Sequence, residues 1–228
     1  MEIHWHLSEG DFFEGLLEEK QEFVSLARKR IIPKNAFVFS VGEPGGSAFY
    51  LDSGYVKIFR TSPLGKEPIV FIRRPGELFG LAEVMSGGER KCHAQALALS
   101  QVYEIRKQEL ELILSKHFIL AKRVIGVLGR RLRFLGEQIE NLMASDVTTR
   151  VLKLLIYLCY QGLLDSTSWN RPIKVPLRLT QEEIASMTGS CQQTVSEVLK
   201  SLKEEGLILV SKREIVLVKP LEAISRVF

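Results

Sequence analysis

The sequence predicts an α+β fold with an N-terminal β-roll of the jelly-roll type, a long central helix and a C-terminal winged helix-turn-helix. Short β-rich runs separated by turn residues fill Ile31–Arg106. An uninterrupted heptad pattern follows at Phe118–Leu142, and two capped helices with a hairpin behind them occupy Thr180–Pro220. Segments of these kinds indicate a β domain followed by a helical one.

Composition places the chain among ordinary globular proteins. Its 228 residues are 46% hydrophobic and 25% charged, and the net charge of +4 is too small to identify a nucleic-acid ligand by itself. No stretch approaches the roughly 18 apolar residues of a membrane helix, and the first residues lack a basic region. The three cysteines form no C-x-x-C pair, which fits a reducing compartment. We therefore expect a cytoplasmic protein with no membrane partner.

The β-rich half of the chain contains runs such as "AFYLDSGYVKIFR" and "IVFIRRPGE", with Gly, Pro, Asp or Ser residues between them. Runs this short, bounded by turn signals, indicate a compact sandwich or barrel of strands. We assign residues 1–117 to this domain.

The segment from Phe118 to Leu142 has apolar residues at every a and d position of a heptad repeat. Such a helix is about 37 Å long at 1.5 Å per residue, and it cannot bury its seam by itself. One alternative is that the seam packs on the β domain, although a second apolar set, Leu120, Val124 and Val127, could serve that packing instead. We favour a homodimer joined through parallel copies of residues 118–144. The residues assigned to the dimer contact are Ile125, Leu128, Leu132, Leu135, Ile139 and Leu142.

Residues 145–228 are interpreted as a winged helix-turn-helix. Thr180 with Glu183, and Ser190 with Gln193, each form the pattern of a capping box at the start of a short helix. The first of these helices should end at Gly189. Behind the second helix, "LILV" and "IVLV" flank the polar turn "SKRE", which predicts a two-stranded wing.

This order of parts resembles the CRP/FNR family of bacterial transcription regulators over essentially the whole chain. The stretches that carry the resemblance are "FYLDSGYVKIF", "PGELFG" with "GERKCHA" seven residues later, and "LTQEEIASMTGSCQQTVSEVLKSLKEEGLI". The resemblance implies a cyclic-nucleotide-binding-like sensor domain, a homodimer, and a reader domain that binds a palindromic site on double-stranded DNA. It also implies RNA polymerase as a partner if the protein is an activator. No enzyme activity is expected.

In a helix-turn-helix the second helix enters the major groove with its N-terminal residues at the base edges. Family members often carry two arginines and a glutamate where this chain has Gln192, Gln193 and Glu197. Glutamine is suited to adenine and glutamate to cytosine, so we expect unusual half-sites, unless the glutamines only solvate the helix end. Bases should be contacted by Cys191 or Gln192, and by Gln193, Ser196, Glu197 and Lys200. Phosphates should be contacted by Thr180, Gln181, Thr194, Lys212 and Arg213.

The run "ERKCHA", residues 89–94, is open to several chemical interpretations. Nucleophilic catalysis by Cys92 with His93 is disfavoured because neighbouring residues on a strand point to opposite faces. A metal site would need further ligands, and the clustered cysteines of an iron-sulfur sensor are missing. Haem is an alternative effector, since carbon-monoxide sensors of the family bind it through a β-roll histidine and His4 and His6 precede the roll.

We favour a pocket in which Arg90 binds a small anion. In the cyclic-nucleotide-binding members of the family, an arginine and a serine hold the phosphate beside the turn that follows "PGELFG". Arg90 matches that arginine, but Lys91 replaces the serine. Leu81 stands where the glutamate that binds the ribose is expected, with Glu83 two residues away, so cyclic AMP is disfavoured.

The stretch "FGLAEVMSGGERKCHA" also resembles the cyanobacterial nitrogen regulators of the family, in which an arginine matching Arg131 helps to hold 2-oxoglutarate. An organic anion, either 2-oxoglutarate-like or a nucleotide, is therefore the expected effector. The residues assigned to it are Phe79, Gly80, Leu81, Ala82, Arg90, Lys91 and Arg131. The rival interpretation is a ligand-binding signalling module without DNA binding, which the capped helix pair and its wing disfavour.

Overall fold

A computed structural model describes residues 10–163 and 169–228 of the chain. These residues form two compact units, and the border between the units lies inside the longest helix, between Arg133 and Phe134. The hypothesis about His4 and His6 concerns residues outside the described ranges. Within those ranges, no helix is both long enough and apolar enough to cross a bilayer.

The first unit consists of β-strands with helices at both ends and one in the middle. Its elements are α1 (Leu17–Leu26), β1 (Arg28–Ile32), β2 (Phe37–Phe39), β3 (Ser47–Ser53), β4 (Val56–Phe59), β5 (Ile69–Arg73), β6 (Leu78–Phe79), α2 (Leu81–Ser86), β7 (His93–Ala96), β8 (Ser100–Arg106), α3 (Lys107–Lys116) and the first part of α4 (Phe118–Ala144).

The strands form two four-stranded antiparallel sheets, in the orders β1-β8-β3-β6 and β2-β7-β4-β5. This arrangement confirms the predicted β-roll. The first strand begins at Arg28 rather than at Ile31, because Arg28 pairs with Glu104 at the far end of β8. The charged residues at the start of β1 had hidden this pairing, since they carry no hydrophobic alternation.

The central strand β3 is buried on both of its faces. Phe49 and Leu51 belong to the core between the two sheets. Ala48 and Tyr50, which alternate with them, belong to a second core formed with the helices on the outer face. The β-roll is therefore a layered unit in which helices cover one sheet.

Helix α4 uses only one of its two apolar sets against the β-roll. Leu120, Val124 and Val127 are at most 5% exposed and belong to the same core as Tyr50. The heptad seam remains open to solvent, with Leu132 72% exposed. The alternative in which the seam packs on the β domain is therefore wrong, and the dimer stays a prediction.

The second unit contains the helix pair and a three-stranded antiparallel sheet in the order β10-β11-β9. Its elements after α4 are α5 (Val147–Leu163), β9 (Ile173–Lys174), α6 (Gln181–Thr188), α7 (Gln192–Glu204), β10 (Ile208–Ser211), β11 (Glu214–Leu217) and α8 (Pro220–Val227). The order helix, turn, helix and hairpin confirms the winged helix-turn-helix.

One predicted helix cap is confirmed and the other is wrong. The Thr180 hydroxyl accepts a hydrogen bond from Glu183 N at 3.0 Å, and the Glu183 carboxylate accepts one from Thr180 N at 2.7 Å. Ser190 does not cap the next helix, because its N–H donates to the Ala185 carbonyl at 3.0 Å and so completes the end of α6. The cap position of α7 falls on Cys191, which makes no side-chain cap hydrogen bond.

The turn between β3 and β4 requires a glycine at position 54. Gly54 has a φ of 90°, and a Cβ added there would lie 2.6 Å from both the Leu99 carbonyl oxygen and the Ser100 Cα. Gly42 has a similar φ of 86°, but an added Cβ would meet nothing within 4 Å. A side chain at position 42 would therefore meet only backbone strain, whereas a side chain at position 54 would also clash with the neighbouring backbone.

We predict that Gly54→Ala lowers the free energy of unfolding by several kcal/mol more than Gly42→Ala, which should cost only about 1–2 kcal/mol of left-handed strain. Urea unfolding followed by circular dichroism measures both changes. Equal losses in the two variants would contradict the close approach of the Leu99–Ser100 backbone to the turn.

Candidate functional site

Arg90 is the largest fully buried side chain of the chain's described residues, at 1% exposure. Its Nη1 donates to the Gly80 carbonyl at 2.9 Å and to the Glu83 carboxylate at 3.1 Å, and its Nη2 donates to the Ser47 carbonyl. The guanidinium carbon lies 4.3 Å from the centre of the Phe39 ring. Arg90 thus connects β3, the turn before α2 and α2 itself, and its one charged partner among the described residues is Glu83.

Glu83 is held at this position by its backbone surroundings. The Lys91 N–H donates to its second carboxylate oxygen at 3.3 Å. A Cβ on Gly45 would lie 2.3 Å from the Glu83 Cβ and 2.8 Å from the Gly88 carbonyl oxygen, so only glycine allows this approach. The sequence suggested Glu83 only as a displaced ribose ligand, and its pairing with Arg90 was missed.

A second buried carboxylate, Glu77, lies among three arginines. Arg73 and Arg74 approach it at 3.2 and 3.1 Å, and Arg131 of α4 lies 3.9 Å away while donating to the Leu78 carbonyl at 2.5 Å. Burial alone would raise the pKa of Glu77, but the charges of Arg73, Arg74 and Arg131 outweigh burial and lower it. Glu77 therefore stays ionised and ties α4 to the β5–β6 turn.

The other residues assigned to the effector lie around Arg90 in different environments. Phe79 is buried in the core between the sheets, where it stacks on Phe49 with ring centres 5.3 Å apart. Leu81 is buried in the core that faces the helices. Gly80 has a φ of 74°, whereas Ala82 and Lys91 are exposed.

Helix α7 divides into a buried apolar face and an exposed polar face. Val195, Val198, Leu199 and Leu202 are buried. The residues expected at DNA bases are exposed, namely Cys191, Gln192, Gln193, Ser196, Glu197 and Lys200. The Gln193 amide donates to the Glu197 carboxylate at 3.4 Å, so these two side chains are oriented together.

The residues expected at phosphates lie on three elements of the same unit. Thr180 and Gln181 start α6, and the Gln181 amide approaches the Ser196 hydroxyl of α7 at 3.5 Å. Thr194 lies in the first turn of α7, where it contacts the Cys191 sulfur at 3.1 Å and lowers the pKa of that thiol. Lys212 and Arg213 form the exposed turn of the wing.

The wing turn places two cations in the left-handed backbone region. Lys212 has a φ of 46° and Arg213 a φ of 69°, which side chains other than glycine, asparagine and aspartate adopt at a cost. The turn joins Ser211 to Glu214, and the Glu214 carboxylate pairs with Lys174 at 2.9 Å and with Arg178. Hydrogen bonds from Lys174 and Arg178 lower the pKa of Glu214.

Two family descriptions match successive parts of this architecture. The description of a cyclic nucleotide-binding domain matches residues 29–117, and that of a Crp-like helix-turn-helix domain matches residues 149–226. The chain belongs to the CRP/FNR family. It is therefore a transcription regulator with a helix-turn-helix DNA-binding domain.

Relatives within the CRP/FNR family match along most of their length. The cyclic AMP receptor protein of Thermus thermophilus is 28% identical over 197 residues, which are 86% of this chain and 87% of that protein. The global nitrogen regulator of Nostoc sp. is 27% identical over 197 residues, 86% of each. The structure of the c-di-GMP responsive regulator CLP of Xanthomonas campestris has a TM-score of 0.71 at 23% identity, covers 88% of this chain and 98% of that one, and agrees in fold.

The surroundings of Cys92 do not activate its thiol. Burial and the nearby Glu83 carboxylate raise the pKa of Cys92, which keeps its thiol neutral. The His93 ring lies 5.0 Å from the Phe59 ring centre, and its Nδ1 accepts the Val41 N–H at 3.3 Å. The matched CRP/FNR relatives are regulators rather than enzymes.

Across residues 10–163 and 169–228, no group of three His, Cys, Asp or Glu side chains could hold a metal ion. The haem alternative through His4 and His6 falls outside these residues and stays a hypothesis.

Proposed function

We propose that this CRP/FNR chain acts as a homodimer that binds a palindromic DNA site and responds to a small organic anion at Arg90. The observation that carries the proposal is the division of α7, whose apolar face is buried while its polar face is exposed at the N-terminal end. A helix that presents amides and a carboxylate in this way is suited to base edges in the major groove.

The proposal is tested by a gel shift with a pool of genomic fragments, in the presence and absence of 2-oxoglutarate. We expect retarded fragments that share an inverted repeat. A chain that retards no fragment under either condition would support the rival signalling module instead.

The anion class follows from the side chains around Arg90. Leu81 is buried in the core, so its position supplies no carboxylate for a ribose hydroxyl. Lys91 supplies an ammonium group where cyclic-nucleotide-binding relatives use a hydroxyl. Although the Thermus thermophilus relative and others are named for cyclic AMP, these two differences favour a carboxylate or phosphate ligand of another kind, such as 2-oxoglutarate or a different nucleotide.

The dimer is supported by the open seam of α4. Phe118, Ile125 and Leu132 are 77%, 68% and 72% exposed, although the neighbouring set on the same helix is buried. An apolar a/d seam this long is stabilised by a second helix. A ligand that contacts α4 would then bias the register of the two helices and so the spacing of the two readers, which is a population shift.

We predict that Ile125→Glu converts the dimer to a monomer and reduces DNA binding sharply, because it places a charge in the seam. Ile119→Glu is the matched control, since Ile119 is 41% exposed on the same helix but lies outside the a and d positions. Light scattering after size exclusion gives the mass. If the Ile125→Glu variant stays dimeric, or if the Ile119→Glu variant is equally monomeric, the a and d positions of α4 do not form the dimer contact.

We predict that Gln193→Ala relaxes the preference at one base pair of the half-site by about 1–3 kcal/mol. Lys212→Ala should instead weaken binding to all sequences alike and reduce the salt slope by about 0.9 for each phosphate that the protein no longer neutralises. Fluorescence anisotropy with a selected site and its single-base variants separates the two effects. If Gln193→Ala weakens all sequences equally, Gln193 does not read a base.

The wing predicts a conflict between stability and DNA binding. Lys212→Asn combined with Arg213→Gly suits the left-handed turn better and should raise the free energy of unfolding by about 1 kcal/mol or more, while DNA binding weakens. Lys203→Asn is the control, because it removes an exposed cation that lies in regular helix and outside the expected DNA contacts, and it should not stabilise the chain. Unfolding and anisotropy measurements give both quantities. Unchanged DNA affinity in the double variant would exclude the wing from the interface.

A further inference from the structure

We propose that Glu83 is an internal counter-ion that the effector must displace from Arg90, and that this requirement selects effectors with at least two anionic groups. The inference rests on the proposed function, in which Arg90 binds the anion. It adds the residue that controls occupancy of the site and the number of charges that the ligand needs.

The partners of Arg90 differ in whether they can be exchanged. The carbonyls of Gly80 and Ser47 belong to the backbone of the turn and of β3, so they move only with those elements. The Glu83 carboxylate is on a side chain with three rotatable bonds and is 15% exposed, while Arg90 is 1% exposed. Glu83 is therefore the partner that connects the buried guanidinium to solvent, and the one that a dissolved anion can replace.

Arg90 also has an unused donor. Its Nε is buried and donates to no acceptor among the described residues. The Nε–H points to the same side of the guanidinium as Nη2, away from the Nη1 that Glu83 occupies. A ligand that replaces Glu83 at Nη1 and brings a second anionic group to Nε would make a hydrogen bond that Glu83 does not make, which gives the exchange a driving force.

Glu77 is a second carboxylate paired with arginine in the same unit, and unlike Glu83 it cannot be displaced by a ligand. It is 2% exposed and its carboxylate lies within 3.2 Å of both Arg73 and Arg74, with Arg131 at 3.9 Å. Displacing it would leave the buried Arg73 and Arg74 and the partly buried Arg131 without their carboxylate. Glu83 faces a single arginine and keeps contact with solvent, so the exchange is confined to Glu83.

The covalent attachment of Glu83 to the chain determines how many anionic groups a competing ligand needs. A side chain held beside its partner acts at an effective concentration on the order of millimolar or higher. A dissolved monocarboxylate offers the same group without the tether, and so it competes poorly. A ligand with a second anionic group gains a further interaction, and the exposed Lys91 next to Arg90 supplies a positive charge for it.

The test compares wild type, Glu83→Gln and Glu89→Gln by calorimetric titration with sodium acetate, sodium 2-oxoglutarate and inorganic phosphate. Glu89→Gln is the matched control, because it removes the same charge from an exposed residue adjacent to Arg90. We expect Glu83→Gln to bind 2-oxoglutarate about tenfold more tightly than wild type or better, and we expect it to bind acetate where wild type shows no binding. Glu89→Gln should match wild type within about twofold.

The double variant Glu83→Gln with Arg90→Gln should lose the increased affinity for 2-oxoglutarate and the binding of acetate. Glu83→Asp, which keeps the charge but shortens the side chain by one methylene group, should fall between wild type and Glu83→Gln and provides the test if Glu83→Gln does not fold. Glu83 variants that bind 2-oxoglutarate and phosphate as wild type does would overturn the displacement proposal while leaving Arg90 as the anion site. If neither wild type nor any variant binds any of the three anions, both the displacement proposal and the proposed class of effector are wrong.

Discussion

The first unit depends on a buried positive charge that cannot be left uncompensated. Arg90 lies against the Phe39 and Phe49 rings, with its guanidinium carbon 4.3 and 5.6 Å from their centres. Removing a cation of this kind from water costs several kcal/mol unless hydrogen bonds and an opposite charge replace the solvent. The Ser47 and Gly80 carbonyls supply the hydrogen bonds and Glu83 supplies the charge. The path of the chain from β3 through α2 to Arg90 is arranged around this need.

Helix α4 joins the packing of the β-roll to the proposed dimer contact. One face carries Leu120, Val124 and Val127 into the core, and Arg131 on α4 ends at the Leu78 carbonyl beside Glu77. The seam formed by the a and d positions is not used for this packing. A helix fixed on one face and open on the other can pass a change near Arg90 to a partner helix, because a shift of its packed face also shifts its seam.

The sequence predicted elements whose signals are local and repeated. The heptad from Phe118 to Leu142 and the Thr180–Glu183 capping box depend on residues three to seven positions apart, so pattern alone located them. The second cap was wrong because Ser190 satisfies a carbonyl of the preceding helix, and this competition is visible only after α6 has formed. The start of β1 at Arg28 was missed because its evidence is the distant partner Glu104.

The contacts of Arg90 also depend on tertiary structure that the sequence pattern does not specify. Arg90 was recognised from its motif, but Glu83 belongs to the interior of α2 and no spacing rule pairs it with Arg90. Only the approach of α2 to Gly45, where no Cβ interferes, brings the carboxylate to the guanidinium. The contacts of Arg131 with Glu77 and Leu78 also depend on how α4 packs on the roll, which a sequence pattern does not specify.

We propose that an anion at Arg90 and DNA at α7 are energetically coupled through one chain. The most direct test is a linkage cycle on the wild-type protein, in which DNA affinity is measured with and without saturating 2-oxoglutarate, and 2-oxoglutarate affinity with and without saturating DNA. If the two sites are coupled, each ligand changes the affinity for the other by the same factor. We expect that factor to be about 5- to 150-fold. Two ligands that each bind with an affinity independent of the other would contradict the claim.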